Sequence, residues 1–388
     1  MLSAAGALTV WVADVLRADE RAIGRLSSEP SSSFRDAADG HGVLCLLHRA
    51  LQDSERFDTI PGEMRDALTL KVRCEQSVEL ARRAELKRVL AAFHCAGVPS
   101  LLLKGAALAY THYSFPHLRP RVDTDILIRP EDRARAGEVL KSLGYVRDNA
   151  VDRDAIFTQS TFRKAGVGAV RHIIDLHWRI ANRPLFRDLL SFDELDAKGV
   201  EIDTLGPGAR TPGPVHSLLL ACIHPVAHHR CDWSLIWLYD VALIAERLNS
   251  SEWARFRALA AAKKVSYICK YTFELAAQNL YESGRSGGWD RGRAWLDQSG
   301  MLDIPDKRRC EEPSAEYLDE EITVRQCLLL DLKASAGITG KARLLLAHAF
   351  PDRGYIRAQY QVSSWLGVTS AYIRRISGAC RQLVRAAR

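Results

Sequence analysis

Asp123 and Asp125 stand two residues apart in the run RPRVDTDILI, which begins at Arg119. In an extended chain, residues i and i+2 share a face, so the two carboxylates lie side by side at the start of one apolar strand. Like charges held that close repel unless a cation lies between them, and hard oxygen ligands of this kind suit Mg²⁺, with Mn²⁺ as a substitute. A third acid, Asp175 in the run HIIDLHW, is placed to join them from a neighbouring strand, with His177 on its own face. Three such carboxylates meet the requirement of two-metal phosphoryl or nucleotidyl transfer, in which an attacking oxygen is held and activated and the leaving one stabilised. Asp175 is a candidate metal ligand and also a candidate base for the acceptor's proton. Upstream, a short apolar strand ends at Lys104 and Gly105 and a helix begins. Glycine allows phosphate to approach the backbone, and free amides at a helix start attract its oxygens. Arg119 and Arg121 are placed to neutralise a triphosphate or to position the carboxylates.

Plainer readings stand beside these. An Asp-x-Asp pair can be a solvated strand end, Asp175 can pair with Arg171 or Arg179, and Lys104 can merely cap a strand. His177, His228 and Trp233 are candidates for supporting or acceptor contacts. His224 and His228 at i, i+4, with His229, Asp232 and Asp240, invite a metal reading, but Pro225 favours a helix start directly after His224.

The elements that must carry these residues follow from periodicity. The first hundred residues show helical spacing in LCLLHRALQ, MRDALTLKV and VELARRAELKRVLAAFHCAG, with SSEPSSSFRDAADG as a loop by composition. VPSLLLK and DTDILI are predicted strands, and EDRARAGEVLKSLGY a helix ending at Gly144. AIFTQSTFRK and AVRHIIDLHWRI are two further strands around the turn KAGVG. The pattern predicts an α+β chain in four parts: an N-terminal helical region over 1–95, a mixed-sheet core over 96–203, a Gly- and Pro-rich linker over 204–214 and a C-terminal helical domain over 215–388. Inter-helix loops are expected at Gly284 to Arg293 and around Pro305 to Pro313.

With KG, a tyrosine, RP-x-x-D-x-D-I-L-I, a helix ending LGY and then IDLHW in that order, the chain resembles the uncharacterised bacterial nucleotidyltransferase family of the DNA polymerase β-like superfamily. The resemblance runs from roughly Glu75 onward and includes His224, His228, Asp240 and FPDRGYIRAQY. It implies a polymerase β-like mixed sheet flanked by helical regions, with Gly105 opening the nucleotide-binding turn. Asp123, Asp125 and Asp175 are then the catalytic and metal-binding acids, and the Arg-Pro pair is matched by Arg119 and Pro120. It also implies an NTP as substrate. The superfamily usually carries Gly-Ser or Gly-Gly in that turn where this chain has Lys104-Gly105-Ala106, and Lys104 is a candidate to supply the missing phosphate contact.

Composition bounds the rest. At 388 residues, 47% hydrophobic and 26% charged, the chain fits a soluble globular protein and not a disordered, collagen-like or channel-forming one. Nine scattered cysteines without Cys-x-x-Cys spacing suggest no disulfide framework or zinc ribbon, and a reducing cytoplasm is expected. The apolar N-terminus lacks a basic flank and meets Asp14 too early for a membrane span. Of the net +7, residues 341–388 hold nine Lys or Arg against one acid, Asp352. In that tail Val362, Trp365, Leu366, Val368, Tyr372, Ile373, Ile376 and Leu383 recur at helical spacing, with Arg374, Arg375, Arg381, Arg385 and Arg388 between them. Such a helix either packs on the protein or meets an anionic membrane or acidic partner. The expected partners are an NTP and a small-molecule, peptide or protein acceptor. The core shows no basic groove with interleaved aromatics, which disfavours long nucleic acid. The alternative is a nucleotide-binding pseudoenzyme or scaffold working through its helical regions; a phosphohydrolase centred on His224 to Asp240 ranks third.

Overall fold

Short runs of Leu and Ile within 100–102, 124–128 and 171–177 form three strands of the sheet, as expected where helices cover both of its sides. The computed structural model describes residues 5–28, 31–148, 158–229, 231–280, 290–292, 294, 312–318, 322–350, 356–357, 360–362 and 364–386. Helices α1 (Ala5–Leu16), α2 (Glu20–Arg25), α3 (Ser31–Gly40), α4 (Leu44–Asp53) and the 34-residue α5 (Gly62–Cys95) come first. There follow β1 (Ser100–Leu102), α6 (Lys104–Thr111), β2 (Thr124–Ile128), α7 (Arg133–Ser142), β3 (Val146–Arg147), β4 (Gln159–Ala165) and β5 (Arg171–His177). Two short helices, α8 (Pro184–Arg187) and α9 (Phe192–Asp196), and a small ladder of β6 (Val200–Glu201) with β7 (Arg210–Thr211) lead to the second helical region. That region holds α10 (Pro214–His229), α11 (Leu235–Arg247), α12 (Ser250–Ala262), α13 (Ser266–Leu280), α14 (Val324–Ala334), α15 (Gly337–Ala349) and α16 (Trp365–Ala386).

The five main strands lie in the order β1-β2-β5-β4-β3, with β2 and β5 parallel and every other neighbouring pair antiparallel. This is the mixed sheet flanked by N-terminal and C-terminal helical regions that the sequence resemblance implies. Alternation divides the strand residues between two cores. Leu102, Ile126, Ile128, Ile174 and Leu176 pack with Val89, Phe93 and Leu140 from α5 and α7. Leu101 and Leu127 face the other way, into a cluster that reaches Leu47 of α4, Leu219 of α10 and Val241 of α11. Asp125 lies on this second face, two residues from Leu127.

Several local expectations change. The stretch expected as a loop after the first helix contains α3, because Phe34 and Ala38, one helical turn apart, are both buried, Phe34 against the Trp11 ring at 4.7 Å. Helix α10 runs through Pro225 and does not start there; the Gly- and Pro-rich stretch before it includes the ladder strand β7. Helix α7 stops as expected, with Gly144 at φ +87°, a conformation glycine adopts without strain. The first residues of the AIFTQSTFRK strand, most of both expected inter-helix loops and much of FPDRGYIRAQY lie outside the described residues. Among the described residues no helix is long and apolar enough to cross a membrane.

Candidate active site

Parallel pairing of β2 with β5 sets Asp125 directly beside Asp175, with Leu127 beside His177. Strand alternation then gives Asp125, Asp175 and His177 one common face, and each offers a ligand atom within 4.8 Å of the other two. His177 Nε2 lies 2.8 Å from Asp125 Oδ1, while the other ring nitrogen is buried without a partner among the described residues. On the far side of β5, strand β4 supplies the hydrogen bonds that orient Asp175. Thr161 Oγ1 donates to Oδ1 at 2.7 Å, and Gln159 Nε2 donates to Oδ2 at 3.2 Å.

Lys104 closes the group from the β1–α6 turn. Its Nζ donates to Asp125 Oδ1 at 2.7 Å, and its backbone sits at φ +51°, in the left-handed region that costs a residue with a Cβ about 1 kcal/mol. The two aspartates of the pair therefore differ. Burial alone would raise the Asp125 carboxyl, but the Lys104 ammonium and the His177 ring hold it well below the usual carboxylate range. Asp123, one residue ahead of β2, is pushed up to about 6 by burial first and then by the Asp125 and Asp175 carboxylates. A divalent cation fits this group: its donors are two carboxylates and an imidazole, and the repulsion that raises Asp123 is what bound positive charge relieves.

The loop that delivers Asp123 is braced from both helical regions. Arg119, buried, places Nε 2.9 Å from Asp240 Oδ1 and Nη2 2.8 Å from Asp240 Oδ2 on α11, and the Tyr113 hydroxyl donates to the same carboxylate at 2.7 Å. Gly105 lies against this brace, since a Cβ there would meet the Arg119 guanidinium at 3.1 Å. Arg121, also buried, pairs with Glu79 of α5 at 2.8 Å, and Tyr110 donates its hydroxyl to Glu79 as well. A two-pronged guanidinium on a carboxylate fixes orientation as well as charge, so both contacts set where the residues after Pro120 travel.

The structure thus gathers Lys104, Asp125, Asp175 and His177, with Asp123 near enough to feel both neighbouring carboxylates. It places Arg119 and Arg121 on Asp240 and Glu79. His224, His228 and His229 cluster on α10, their rings 4.8 to 6.3 Å apart, with Trp237 against two of them. Burial, and after it the Lys104 charge, keeps all three imidazoles below their ordinary pKa. His228 Nε2 lies 3.2 Å from the Ile180 carbonyl, and Trp233 tilts against Tyr271 at 5.8 Å. A small cavity lined by Lys104, Thr211, Leu220, His224 and Trp237, with Arg119 and Asp240, shares Lys104 with the acidic group. Because Asp240 is bound to Arg119, the stretch from His224 to Asp240 gathers no metal-ligand group among the described residues. Glu79, Tyr110, Tyr113, Thr161 and Gln159 escaped sequence reasoning. Four are ordinary members of a helix or strand and Tyr113 lies in the loop after α6, and only Glu79, a buried acid opposite an Arg, gives a signal, which depends on knowing the fold.

A family model described as "Uncharacterised nucleotidyltransferase" matches residues 28–281, which include every residue of the site and both braces. The solution structure of the antibiotic-resistance factor ANT(2'')-Ia is similar at a TM-score of 0.34 and 15% identity, over 52% of this chain and 97% of that chain. No curated protein matches the chain.

Proposed function

The chain belongs to the uncharacterised nucleotidyltransferase family, and from that membership we propose that it moves a nucleoside monophosphate from an NTP to a hydroxyl or similar acceptor, with Mg²⁺ present and pyrophosphate released. The observation that carries this reading is the β2–β5 register, which pairs Asp125 with Asp175 and brings His177 within ligand distance. In the proposal Asp123, Asp125 and Asp175 hold the cation, and His177 orients Asp125 through its 2.8 Å contact. When bound, the cation supplies positive charge to the phosphate oxygens and the leaving group. Lys104 and the amides that start α6 receive phosphate oxygens. Asp175, oriented by Thr161 and Gln159, takes the acceptor's proton as its oxygen bonds to the α-phosphorus. The bond from that phosphorus to the bridging oxygen breaks, and the electron pair leaves with pyrophosphate. Arg119 and Arg121 act from a distance by bracing the loop.

The acceptor is proposed to be a small molecule, a peptide or a protein side chain, reached beside the His224 and Trp237 cavity. The test incubates the purified protein with each α-labelled NTP and cell extract, and follows both labelled acceptor and pyrophosphate. Label transfer with stoichiometric pyrophosphate, lost in Asp123→Asn and Asp175→Asn, supports the proposal. Folded protein that binds NTP but labels nothing with any of the four would overturn it.

A further inference from the structure

The family match ends at residue 281, and the described residues beyond it differ in what they expose. Among the described residues, half of the exposed large apolar side chains lie from Leu329 onward: Leu329, Ile338, Leu345, Leu346, Phe350, Trp365, Leu366 and Ile373. The sequence over 341–388 carries nine Lys or Arg and a single acid. Helix α16 concentrates both properties. At about 100° of rotation per residue, Trp365, Leu366 and Ile373 share one arc of roughly 100°, and Arg374 lies about 80° beyond its edge. Those three apolar side chains are 68%, 73% and 63% exposed, whereas Val368 and Ala371, on another side of the helix, are buried against Ile356. The packed side thus meets the segment just before the helix. The exposed apolar arc is a second face, separate from that contact. Phe350, at the end of α15, extends it, with its ring 6.3 Å from that of Tyr372.

We propose that the exposed face of α16, with the adjoining end of α15, docks on a membrane surface rich in acidic lipid. Charge complementarity selects this occupant: nine basic residues against one acid over the last 48 residues match an anionic sheet. The indole at Trp365 and the neighbouring Leu366 suit the boundary between headgroups and acyl chains, where an amphipathic helix lies in the plane and its arginines reach the phosphates. Two copies of this face would bring like charge against like charge, which disfavours self-association.

The experiment sediments the full chain with vesicles of phosphatidylcholine alone or mixed with phosphatidylglycerol, over a series of salt concentrations. Binding should appear only with phosphatidylglycerol and fall steeply with salt. Each arginine near the surface is worth about fivefold in partitioning, so Arg374→Gln with Arg381→Gln should weaken binding about 25-fold. Trp365→Ser with Ile373→Ser should weaken it by about tenfold or more, while the melting temperature, read in parallel, stays unchanged because both side chains are exposed. Equal binding to both vesicle types, no sedimentation, or unchanged sedimentation of either variant would overturn the proposal. So would a dimer, seen by analytical ultracentrifugation without vesicle binding and lost in the Trp365→Ser, Ile373→Ser variant, because it would assign the face to a second copy.

Discussion

The loop at Arg119 and the helix at Arg374 use the same side chain in opposite ways. In the loop, Arg119 and Arg121 are buried, and each faces a carboxylate delivered by a different helical region. On α16, Arg374 is exposed in a stretch almost devoid of acids. A guanidinium bound to a carboxylate inside the protein has no charge to offer a ligand, and its worth is in fixing what comes next along the chain. One without an acid nearby keeps its charge for something outside. The difference teaches that basic residues beside a candidate phosphate-handling site need not be the ones that would touch phosphate. Here Lys104, which reaches Asp125 itself, is better placed than either arginine to do so.

The contrast is broken most severely by Asp240→Ala. Removing one partner of a buried pair leaves the other charge stranded, at a cost of about 3–5 kcal/mol, and a urea melt should show that loss. Replacing both members, Arg119→Met with Asp240→Leu, should recover much of the stability but not the turnover, because the loop to Asp123 stays unbraced. Equal melts for the single and double variants would mean that the pair does not act as a unit.

A smaller effect separates the two aspartates and sharpens the point that pairing, not residue type, sets the outcome. Asp123 has a folded-state pKa of about 6, above its unfolded value, so its protonation favours the folded state at low pH and that contribution is lost as pH rises through about 6. Asp123→Asn should therefore melt higher than the parent at pH 7, by ~1–2 kcal/mol after allowing for partial exposure, and lose the advantage near pH 4. Asp125 is depressed, so its contribution is present above the ordinary carboxylate range and is lost only in strong acid. Asp125→Asn should melt lower at pH 7, by about 2 kcal/mol, since Lys104 and His177 lose a charged partner. Both variants should lose turnover, so melts of equal sign would remove the electrostatic distinction.

The smallest effect is expected on the tail. Arg374→Gln, exposed on α16, should change stability by no more than about 0.5 kcal/mol in the same melts. A larger loss would show that the arginine is as structural as those of the loop.

How much of this could be read in the chain differs by element. Strands β1, β2 and β5 were legible because an apolar run of a few residues beside a charged turn has few other solutions, and the i, i+2 spacing put Asp123 and Asp125 on one face. Strand β3 was not, since two residues, Val146 and Arg147, carry no period. The placement of β5 parallel to β2, with β4 on its outer side, depends on pairing across the sheet, about which local pattern says nothing. The same limit explains the arginines: from their neighbours in sequence Arg119 and Arg121 read as ligands of a triphosphate or as positioners of the carboxylates, while Asp240 and Glu79 meet them only in the folded chain. Helix α3 was hidden by a Ser-rich composition, which outweighed the two buried side chains, Phe34 and Ala38, that hold it.

The two braces also differ in when they can form. Arg121 closes on Glu79 across 42 residues, and both partners are available as soon as the chain has been made through β2. Arg119 closes on Asp240 across 121, and during synthesis from the N-terminus its partner emerges only after the whole five-stranded sheet. The entropy of closing the longer loop grows only with the logarithm of its length, so the delay comes from chain order and not from the cost of closure. The parts of the site therefore become available in order, the Glu79 brace first, the acidic group once β5 has been made and the Asp240 brace last, and a chain halted before α11 would carry the acidic group with its leading loop anchored at one end.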